Sequence, residues 1–215
     1  MTIFDLLFLA CALATAVLLL LAVYSACKRR YARGARVLTI LACQVSAYAS
    51  LLLFVSLTSR PTIVPRGQKQ CFDDWCVSVE SVTRRAQIGN AEITAQAQGI
   101  FYLVAVKASN VGRGRAQAAA DAEVWLIDAA GRRYAPSPEG QAALDAAGTN
   151  GPALTSRIAA GESIERVFVF DVAKDAVGLG LITSHGRIPG ILIVADPASF
   201  LHAPTIHQLD TFDDA

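Results

Sequence analysis

Charged residues are scarce in this sequence: Asp, Glu, Lys and Arg make up 17% of the 215 residues, while hydrophobic residues make up 53%. Glycine, proline and cysteine are also few, at 15, 8 and 5 residues. A disordered chain would carry more charge, a collagen-like chain more glycine and proline, and a disulfide-rich miniprotein more cysteine. The net charge of +1 lacks the basic excess that nucleic-acid binding requires. A membrane protein is the class that remains.

The apolar residues concentrate near the amino terminus in two uncharged runs, residues 6–26 and 37–58. Each run has the roughly 20 residues that a helix needs to cross the hydrocarbon core of a bilayer. The sequence therefore predicts a transmembrane α-helical hairpin over residues 1–59, with the lipid bilayer as its first partner.

The loop between the two runs, residues 28–36, carries five positive charges and no negative one. These topology determinants are Lys28, Arg29, Arg30, Arg33 and Arg36. Because positive loops stay in the cytoplasm, the sequence predicts a two-pass protein with both termini and everything after Ser59 outside the cytoplasm. A cleaved signal peptide is the alternative, but its positive region would precede the first apolar run, where only Asp5 stands.

Within the second run, Ala42, Ser46 and Ser50 recur four residues apart and form a stripe of small residues. Small residues on one helix face allow a neighbouring helix to approach closely. We expect this stripe to pack against the first helix, with Ala10 and Ala14 as counterparts. Docking onto another membrane subunit is the alternative.

Beyond the hairpin, residues 60–70 contain Pro61, Pro65 and Gly67, a composition that predicts a short stalk. Residues 71–200 mostly alternate apolar and polar side chains, as strands do. Strands are predicted at 76–83, 91–97, 100–108, 122–128, 164–172, 177–183 and 188–194, a helix only at 138–147, and a mobile tail at 201–215. About seven short strands separated by turns indicate an all-β antiparallel sandwich.

Three stretches carry a family resemblance: residues 104–112 ending in Asn110-Val-Gly112, residues 125–134 with Asp128, Gly131 and Tyr134, and residues 158–172 with a Phe-rich strand. They resemble the immunoglobulin-like extracytoplasmic domain of unknown function found on bacterial lipoproteins and membrane-anchored proteins. The resemblance implies an immunoglobulin-like sandwich and a bacterial cytoplasmic membrane as the location. It implies no chemistry, because fold alone does not supply function.

The most distinctive stretch of the exported part is Cys71-Phe-Asp-Asp-Trp-Cys76. Two cysteines without a third, in an oxidising compartment, predict a disulfide between Cys71 and Cys76. Asp73, Asp74 and Trp75 would then stand on a rigid loop as a candidate recognition loop. The alternative is a structural staple with Trp75 packed on the edge of the sandwich.

No metal, cofactor or catalytic residues are predicted. His202 and His207 lie near Asp210, Asp213 and Asp214 in the sequence. Pro204 between the two histidines prevents them from sharing one face of a helix, and zinc takes three or four firmly held ligands.

Two helices followed by a sandwich are also the layout of cytochrome oxidase subunit II. A copper site would need soft Cys and Met ligands with His, and Met1 is the only methionine.

The sequence thus predicts a non-enzymatic, membrane-anchored extracytoplasmic module for binding or assembly, with a probable protein partner and no nucleic acid. An accessory subunit of a larger membrane complex is the first alternative. A redox or metal-dependent exported protein is the second.

Overall fold

The computed structural model of the chain describes residues 3–90, 93–148, 150–185 and 187–209. Its elements, in chain order, are α1 (Ile3–Cys27), α2 (Tyr31–Thr58), β1 (Thr62–Val64), β2 (Gln70–Phe72), β3 (Trp75–Gly89), β4 (Thr94–Asn110), β5 (Glu123–Ile127), β6 (Arg133–Tyr134), α3 (Pro138–Ala146), β7 (Ser163–Val172), β8 (Gly180–Ser184), α4 (Arg187–Gly190) and β9 (Thr205–Gln208). The chain forms two compact units: Met1–Arg60 with Arg187–Ala203, and Pro61–Gly186 with Pro204–Ala215.

The first unit, here called the helical unit, is built on the hairpin of α1 and α2. Both helices are long and apolar enough to cross a membrane by length and composition. The turn between them is shorter than the sequence suggests: α1 ends at Cys27 and α2 begins at Tyr31, so Arg33 and Arg36 lie in the first turns of α2. Gly34 faces Ser25 across the hairpin, 3.7 Å from its Cβ when a methyl group is placed on the glycine.

The two helices meet along a seam of side chains spaced three and four residues apart, the spacing of a left-handed antiparallel helix pair. On α1 the less exposed positions are Phe4, Phe8, Cys11, Thr15, Leu18, Ala22 and Ser25, and on α2 they are Gly34, Val37, Leu41, Gln44, Tyr48, Leu52 and Ser56. The Gln44 side-chain amide donates to the Cys11 carbonyl oxygen at 2.9 Å and to the Thr15 hydroxyl at 3.2 Å. A polar bond of this kind fixes the register of the pair.

The second unit, here called the sandwich, contains two sheets. One has the strand order β1-β9-β8-β5-β6 and the other β2-β3-β4-β7. All pairs are antiparallel except β1 with β9. The predicted antiparallel β-sandwich is therefore confirmed, with β1 drawn from the predicted stalk and β9 from the predicted tail.

The core of the sandwich lies between the two sheets. Tyr102, Val104, Val106 and Ala108 alternate along β4 and are all buried there, as the period of two predicted. They meet Phe170 and Val172 of β7 and, from the opposite sheet, Val124, Leu126 and Leu181. Alternation of apolar and polar residues predicts the buried positions here because one face of each strand lies in the core and successive side chains point to opposite faces.

Residues 91–97 and 100–108 were predicted as two strands, but the structure continues through Gly99 as the single strand β4. Gly99 permits this because a Cβ at this position would lie 1.9 Å from the Val172 carbonyl oxygen. The glycine therefore marks a close approach of two backbones, and not a strand end.

Helix α3 covers the outer face of the β3-β4-β7 sheet, and its predicted bounds, 138–147, are confirmed to within one residue. Pro138 stands in the first turn and the Ser137 hydroxyl accepts from the Gly140 amide at 3.2 Å, which are the usual start signals of a helix. Ala143 packs with Phe101, Val169 and Ile88 in a second, smaller core.

The outer edge of β7 is capped by amide side chains. Gln141 donates to the Val167 carbonyl oxygen at 3.1 Å and accepts from the Val169 amide at 3.2 Å. Asn150 accepts from the Val167 amide at 2.8 Å and donates to its carbonyl oxygen at 3.1 Å. These two side chains take the positions that a further strand would occupy, which is one way to blunt a sheet edge.

Two predictions for the carboxyl-terminal region were wrong. Residues 188–194 do not form a strand but a short helix, α4, followed by turns in the helical unit. Pro189 and Gly190 interrupt the run, and an apolar run without alternation does not distinguish a buried strand from other apolar segments. The expected mobile tail also contains β9, and His207 in this strand and Leu209 directly after it are fully buried.

Candidate functional site

The disulfide hairpin of β2 and β3 is the candidate site that the sequence singles out. The predicted Cys71–Cys76 disulfide is present, and the two cysteines are direct register partners on antiparallel strands. Phe72 and Trp75 form the next pair, so Asp73 and Asp74 make a two-residue turn. Asp73 adopts φ 55°, a left-handed conformation that Asp tolerates better than most residues.

The three predicted recognition residues have different environments. Asp73 is exposed, whereas Trp75 is 1% exposed and belongs to the main core. Asp74 is half-buried: its carboxylate accepts from the Gln117 amide at 3.1 Å and its carbonyl oxygen from the Val111 amide at 2.8 Å. The expectation of a displayed Asp-Asp-Trp loop is therefore wrong for Trp75, which packs inside as the staple alternative held.

Sequence reasoning missed a histidine beside this hairpin. His185 follows β8, and its ring lies 5.1 Å from the Trp75 ring and 5.9 Å from the Phe72 ring, centroid to centroid. Its Nδ1 atom contacts the Asp121 carboxylate, and the two side chains remain 22% and 47% exposed. Nothing in the sequence links His185 to Phe72 and Trp75, which stand more than a hundred positions earlier.

The end of the sandwich that carries this cluster also carries its connections to the helical unit. Strand registers place Thr62 opposite Thr205, and Leu181 of β8 opposite His207 of β9. The start of β1, the end of β8 and the start of β9 thus share one end, and Trp75 pairs with Asn110 at the same end of the other sheet. The disulfide hairpin lies at the end where the chain enters and leaves the sandwich.

Asn110, singled out by the family resemblance, organises the loop next to the hairpin. It is 1% exposed, and its side-chain amide donates to the carbonyl oxygens of Arg115 at 2.9 Å and Ile158 at 3.0 Å. Its side-chain oxygen accepts from the Gly112 amide at 3.0 Å. A fully bonded buried amide of this kind fixes loop conformation.

Asp128 and Tyr134 of the resemblance form a second polar cluster, with Arg132. The Asp128 carboxylate accepts from the Arg132 amide at 2.8 Å, from the Arg132 guanidinium at 2.6 Å and from the Tyr134 hydroxyl at 3.1 Å. Burial alone would raise the pKa of this carboxyl group, but the bonds from Arg132 and Tyr134 lower it below its ordinary value. The cluster closes the β5-β6 hairpin.

A further cluster, around the Asp145 carboxylate, connects α3 to β7. Asp145 accepts from the Asn150 amide at 2.6 Å and from the Arg166 guanidinium at 3.0 Å. Despite some desolvation, these bonds and the nearby charge lower the pKa of Asp145. Arg166 also donates to the Gly151 carbonyl oxygen at 2.7 Å. Like the Asp128 cluster, this one joins elements of the framework.

A groove of about 750 Å³ lies at the other end of the sandwich, where the start of α3 meets the end of β7. It was not predicted. Its main carboxylate, Asp171, accepts from the backbone amides of Gln98 at 2.8 Å and Gly99 at 2.9 Å. Glu139 and Lys174 add one charge of each sign to the lining. With Asp171, the lining carries two carboxylates and one ammonium group, a slight negative excess.

The two tail histidines lie in different units: His202 in the helical unit and His207 in the sandwich. Within the described residues, no group of three or more His, Cys, Asp or Glu side chains is placed to hold a metal ion. Asp210, Asp213 and Asp214, the expected companions of the histidines, lie outside the described residues. His207 instead points into the sandwich, where its Nε2 atom donates to the Gln70 side-chain oxygen at 3.1 Å.

Protonation of His207 is expected to destabilise the fold. Burial lowers its pKa to about 4, against an ordinary value of 6.5. The unfolded chain therefore binds this proton more readily than the folded chain. The free energy of unfolding is at its full value above pH 6.5 and decreases between pH 6.5 and pH 4, by up to about 1.4 kcal/mol per pH unit. Thermal unfolding of the full-length protein in detergent between pH 4 and 8 measures this loss.

The His207→Gln variant should flatten the pH dependence, whereas His185→Gln, which changes a partly exposed ring, should retain it. The pKa values of Asp128 and Asp145 are lowered, so these residues affect the pH dependence of stability only below about pH 4, where they become protonated. An unchanged slope in the His207 variant would contradict the assignment.

Two mainly antiparallel sheets around one apolar core define the second unit as a β-sandwich domain. Residues 65–189 match the family described as "Domain of unknown function (DUF4352)", and the chain belongs to that family. None of the curated proteins matches the chain.

Several solved structures are similar to the chain at low identity. A conserved hypothetical protein from Bacillus anthracis has 18% identity, with 54% of this chain and 86% of that chain covered and a TM-score of 0.43. The yjhA protein from Bacillus subtilis has 14% identity, 70% and 100% coverage and a TM-score of 0.46. The secreted protein MPT63 from Mycobacterium tuberculosis has 12% identity, 60% and 93% coverage and a TM-score of 0.43.

Proposed function

We propose that this protein is a membrane-anchored, extracytoplasmic binding or assembly module without catalytic activity. In this proposal α1 and α2 cross a bacterial cytoplasmic membrane, and both termini and the immunoglobulin-like sandwich lie outside the cytoplasm. The observation that carries the proposal is the uncovered apolar surface of the two helices.

Only a minority of the apolar side chains of α1 and α2 pack in the seam between the two helices. Outside the seam, Leu13, Leu20 and Phe54 are 68%, 70% and 67% exposed, and most other leucines of the hairpin are exposed as well. Soluble monomers seldom expose continuous apolar patches of more than a few hundred Å². Lipid chains are the environment in which such a surface is stable, because the helices satisfy their own backbone hydrogen bonds.

Charge supports the orientation. The five basic residues lie at the closed end of the hairpin, in the turn and the first turns of α2. The exported part has 17 of the 18 acidic residues and 14 of the 19 basic ones, a slight negative excess. A basic turn inside and a neutral to acidic domain outside agree with the positive-inside rule.

The polar clusters of the sandwich favour a binding role over catalysis. The Asp128 carboxylate accepts from the backbone amide and guanidinium of Arg132, and the Asp145 carboxylate accepts from the Asn150 side-chain amide and the Arg166 guanidinium, so both are engaged within the framework. The remaining close pair of titratable side chains near an aromatic surface is His185 with Asp121. A partner recognised at the disulfide end would meet His185, Asp121 and the exposed Asp73.

The accessory-subunit alternative is supported by the stripe of Ala42, Ser46 and Ser50. The expectation that it packs on α1 is not met: all three residues are exposed, as are Ala10 and Ala14, and the seam runs through Gln44 instead. A face of small residues that α1 leaves uncovered is available to a helix of another membrane protein.

The redox or metal alternative has less support. Cys76 is fully buried although its partner Cys71 is exposed, and the pair lacks the Cys-x-x-Cys spacing that is common in redox-active sites. The candidate metal residues His202 and His207 do not belong to the same unit.

Purification of the full-length protein from its native membrane in mild detergent tests the proposal. Mass spectrometry would identify any membrane protein that accompanies it in a fixed ratio. Alkaline carbonate should leave the protein in the membrane pellet, and its release by carbonate would contradict the anchor.

Ser46→Leu and Val45→Leu separate the two roles. Both positions are exposed on α2, but only Ser46 lies on the stripe. If the protein is an accessory subunit, Ser46→Leu removes the fixed-ratio partner and Val45→Leu retains it. If it is a free-standing module, neither substitution changes what is purified.

A further inference from the structure

The segment between β8 and β9 forms part of the helical unit and not of the sandwich. It comprises Arg187–Ala203, and we refer to it as the excursion. The chain leaves the sandwich after β8, packs along α2 and returns as β9. We infer that the excursion is a membrane-embedded element whose ligand is the acyl chains of the outer leaflet. This inference rests on the proposed membrane anchor.

Contacts with α2 give the depth of the excursion. The Ala203 amide donates to the Ser59 hydroxyl at 2.7 Å, and the hydroxyls of Ser199 and Ser56 lie 3.3 Å apart. Further along α2, the Tyr48 hydroxyl donates to the Leu192 carbonyl oxygen at 2.6 Å. The excursion therefore follows α2 from its outer end back to Tyr48.

Tyr48 precedes the end of α2 at Thr58 by ten residues, which corresponds to about 15 Å along the helix axis. The hydrocarbon core is about 30 Å thick in total. With the outer end of α2 at the bilayer surface, Leu192 lies within the outer half of the hydrocarbon. Only a segment that tolerates lipid on its free side is stable there.

The composition of the excursion fits this environment. Residues 188–195 read Ile-Pro-Gly-Ile-Leu-Ile-Val-Ala and contain no charge. Ile193 and Val194 are buried, whereas Leu192 is 52% exposed. Nearer the outer end of α2, Phe200 is 49% exposed. Among the excursion residues whose side chains the structure describes, the exposed ones are Pro189, Leu192, Pro197, Phe200 and Leu201, all of them uncharged.

Backbone polar groups are the usual obstacle to non-helical chain inside a membrane, since each unsatisfied group costs several kcal/mol. In the excursion, turns supply the bonds: the amides of Leu192, Ile193 and Phe200 donate to the carbonyl oxygens of Pro189, Gly190 and Ile191 at 2.9, 3.0 and 3.1 Å. Tyr48 adds a donor to the Leu192 carbonyl oxygen.

Asp196 is the one acidic residue of the excursion. This residue is half-buried, and its carboxylate accepts from the Ala198 amide at 2.7 Å. The bond closes the turn that precedes Ser199, where the chain returns toward the outer end of α2. A carboxylate bonded within its own turn is a smaller obstacle at the membrane than one facing lipid.

Site-directed fluorescence in phosphatidylcholine vesicles tests the inference on the full chain. Cys11, Cys27 and Cys43 are replaced by alanine, and the Cys71–Cys76 disulfide is kept, so that one added cysteine carries the label. The test variants are Leu192→Cys and Phe200→Cys. Leu13→Cys on α1 and Val177→Cys in the sandwich, each 68% exposed, are the membrane and aqueous controls.

Labels at Leu192 and Phe200 are expected to behave like the label at Leu13. Lipids with nitroxide-bearing acyl chains should quench their fluorescence, and aqueous iodide should quench it several-fold less than it quenches the label at Val177. The Phe200 label should lie nearer the headgroups than the Leu192 label. Phe200→Cys also serves as an independent reading if Leu192→Cys fails to fold.

The other outcomes are distinguishable. If the Leu13 label is in lipid but the excursion labels are quenched by iodide, the inference is overturned and the anchor stands. Labels shielded from both quenchers would show the excursion covered by protein, which also overturns it. A Leu13 label quenched by iodide like that at Val177 would remove the anchor and the inference together.

Discussion

Replacement of Trp75 by alanine is expected to lower the free energy of unfolding by about 3–5 kcal/mol, the range measured for large aromatic truncations in cores. Trp75 is 1% exposed and packs with Phe72 and His185 at ring-centroid distances of 5.8 and 5.1 Å. It is therefore a wedge between the disulfide hairpin and the end of β8. Denaturant unfolding of the full-length protein in detergent, followed by circular dichroism, measures the change.

Asp73→Ala is the matched control, two residues away in the same disulfide loop. Asp73 is exposed, so its truncation should change the free energy of unfolding by no more than about 0.5 kcal/mol. Equal effects of the two substitutions would show that the loop as a whole, and not the buried indole, determines stability at this end. Binding of a partner at the disulfide end should show the opposite ranking, with the larger loss for Asp73→Ala.

Neutralising the basic turn is expected to abolish the fixed orientation of the hairpin. The variant changes Lys28, Arg29, Arg30, Arg33 and Arg36 to serine, which removes the charges that, in the proposed topology, hold the closed end in the cytoplasm. A reporter enzyme fused after Ala215, active only where its disulfides form outside the cytoplasm, should lose most of its activity.

Arg113 and Arg115, both exposed in the loop after β4, provide the control for general loss of positive charge. Serine at these two positions should leave the reporter active, because charges far from the membrane spans contribute little to orientation. A reporter that is inactive when fused to the unmodified protein would contradict the orientation itself.

The sequence predicted those parts of the fold in which a single periodic signal dominates. Tyr102, Val104 and Val106 alternate with residues of the opposite face, and the structure buries them between the sheets. The disulfide followed from two closely spaced cysteines after the apolar runs, and the bounds of α3 from Pro138 with a serine before it. In each case the local pattern and the tertiary structure agree.

Predictions failed where the deciding contact is distant in sequence. The run at 188–194 has no alternation, so only its contact with Tyr48, far earlier in the chain, shows that it belongs with the helices. The stripe at Ser46 has the right residues for helix packing, but one amide at Gln44 selects a different face. Trp75 stands beside two aspartates, yet the pairing of β3 with β4 turns it inward.

The amides of Gln141 and Asn150 have a consequence for how the protein tolerates crowding. In the proposed membrane-anchored state, copies in one membrane would share a thin layer, so their effective concentration would be far higher than in solution. An open strand at the same height in every copy would invite sheet-to-sheet growth from one molecule to the next. Because both amides already occupy the hydrogen-bonding groups of Val167 on β7, a second chain finds no ladder to extend there. Under the proposed membrane anchor, these two uncharged side chains would therefore disfavour sheet growth from copy to copy along that edge.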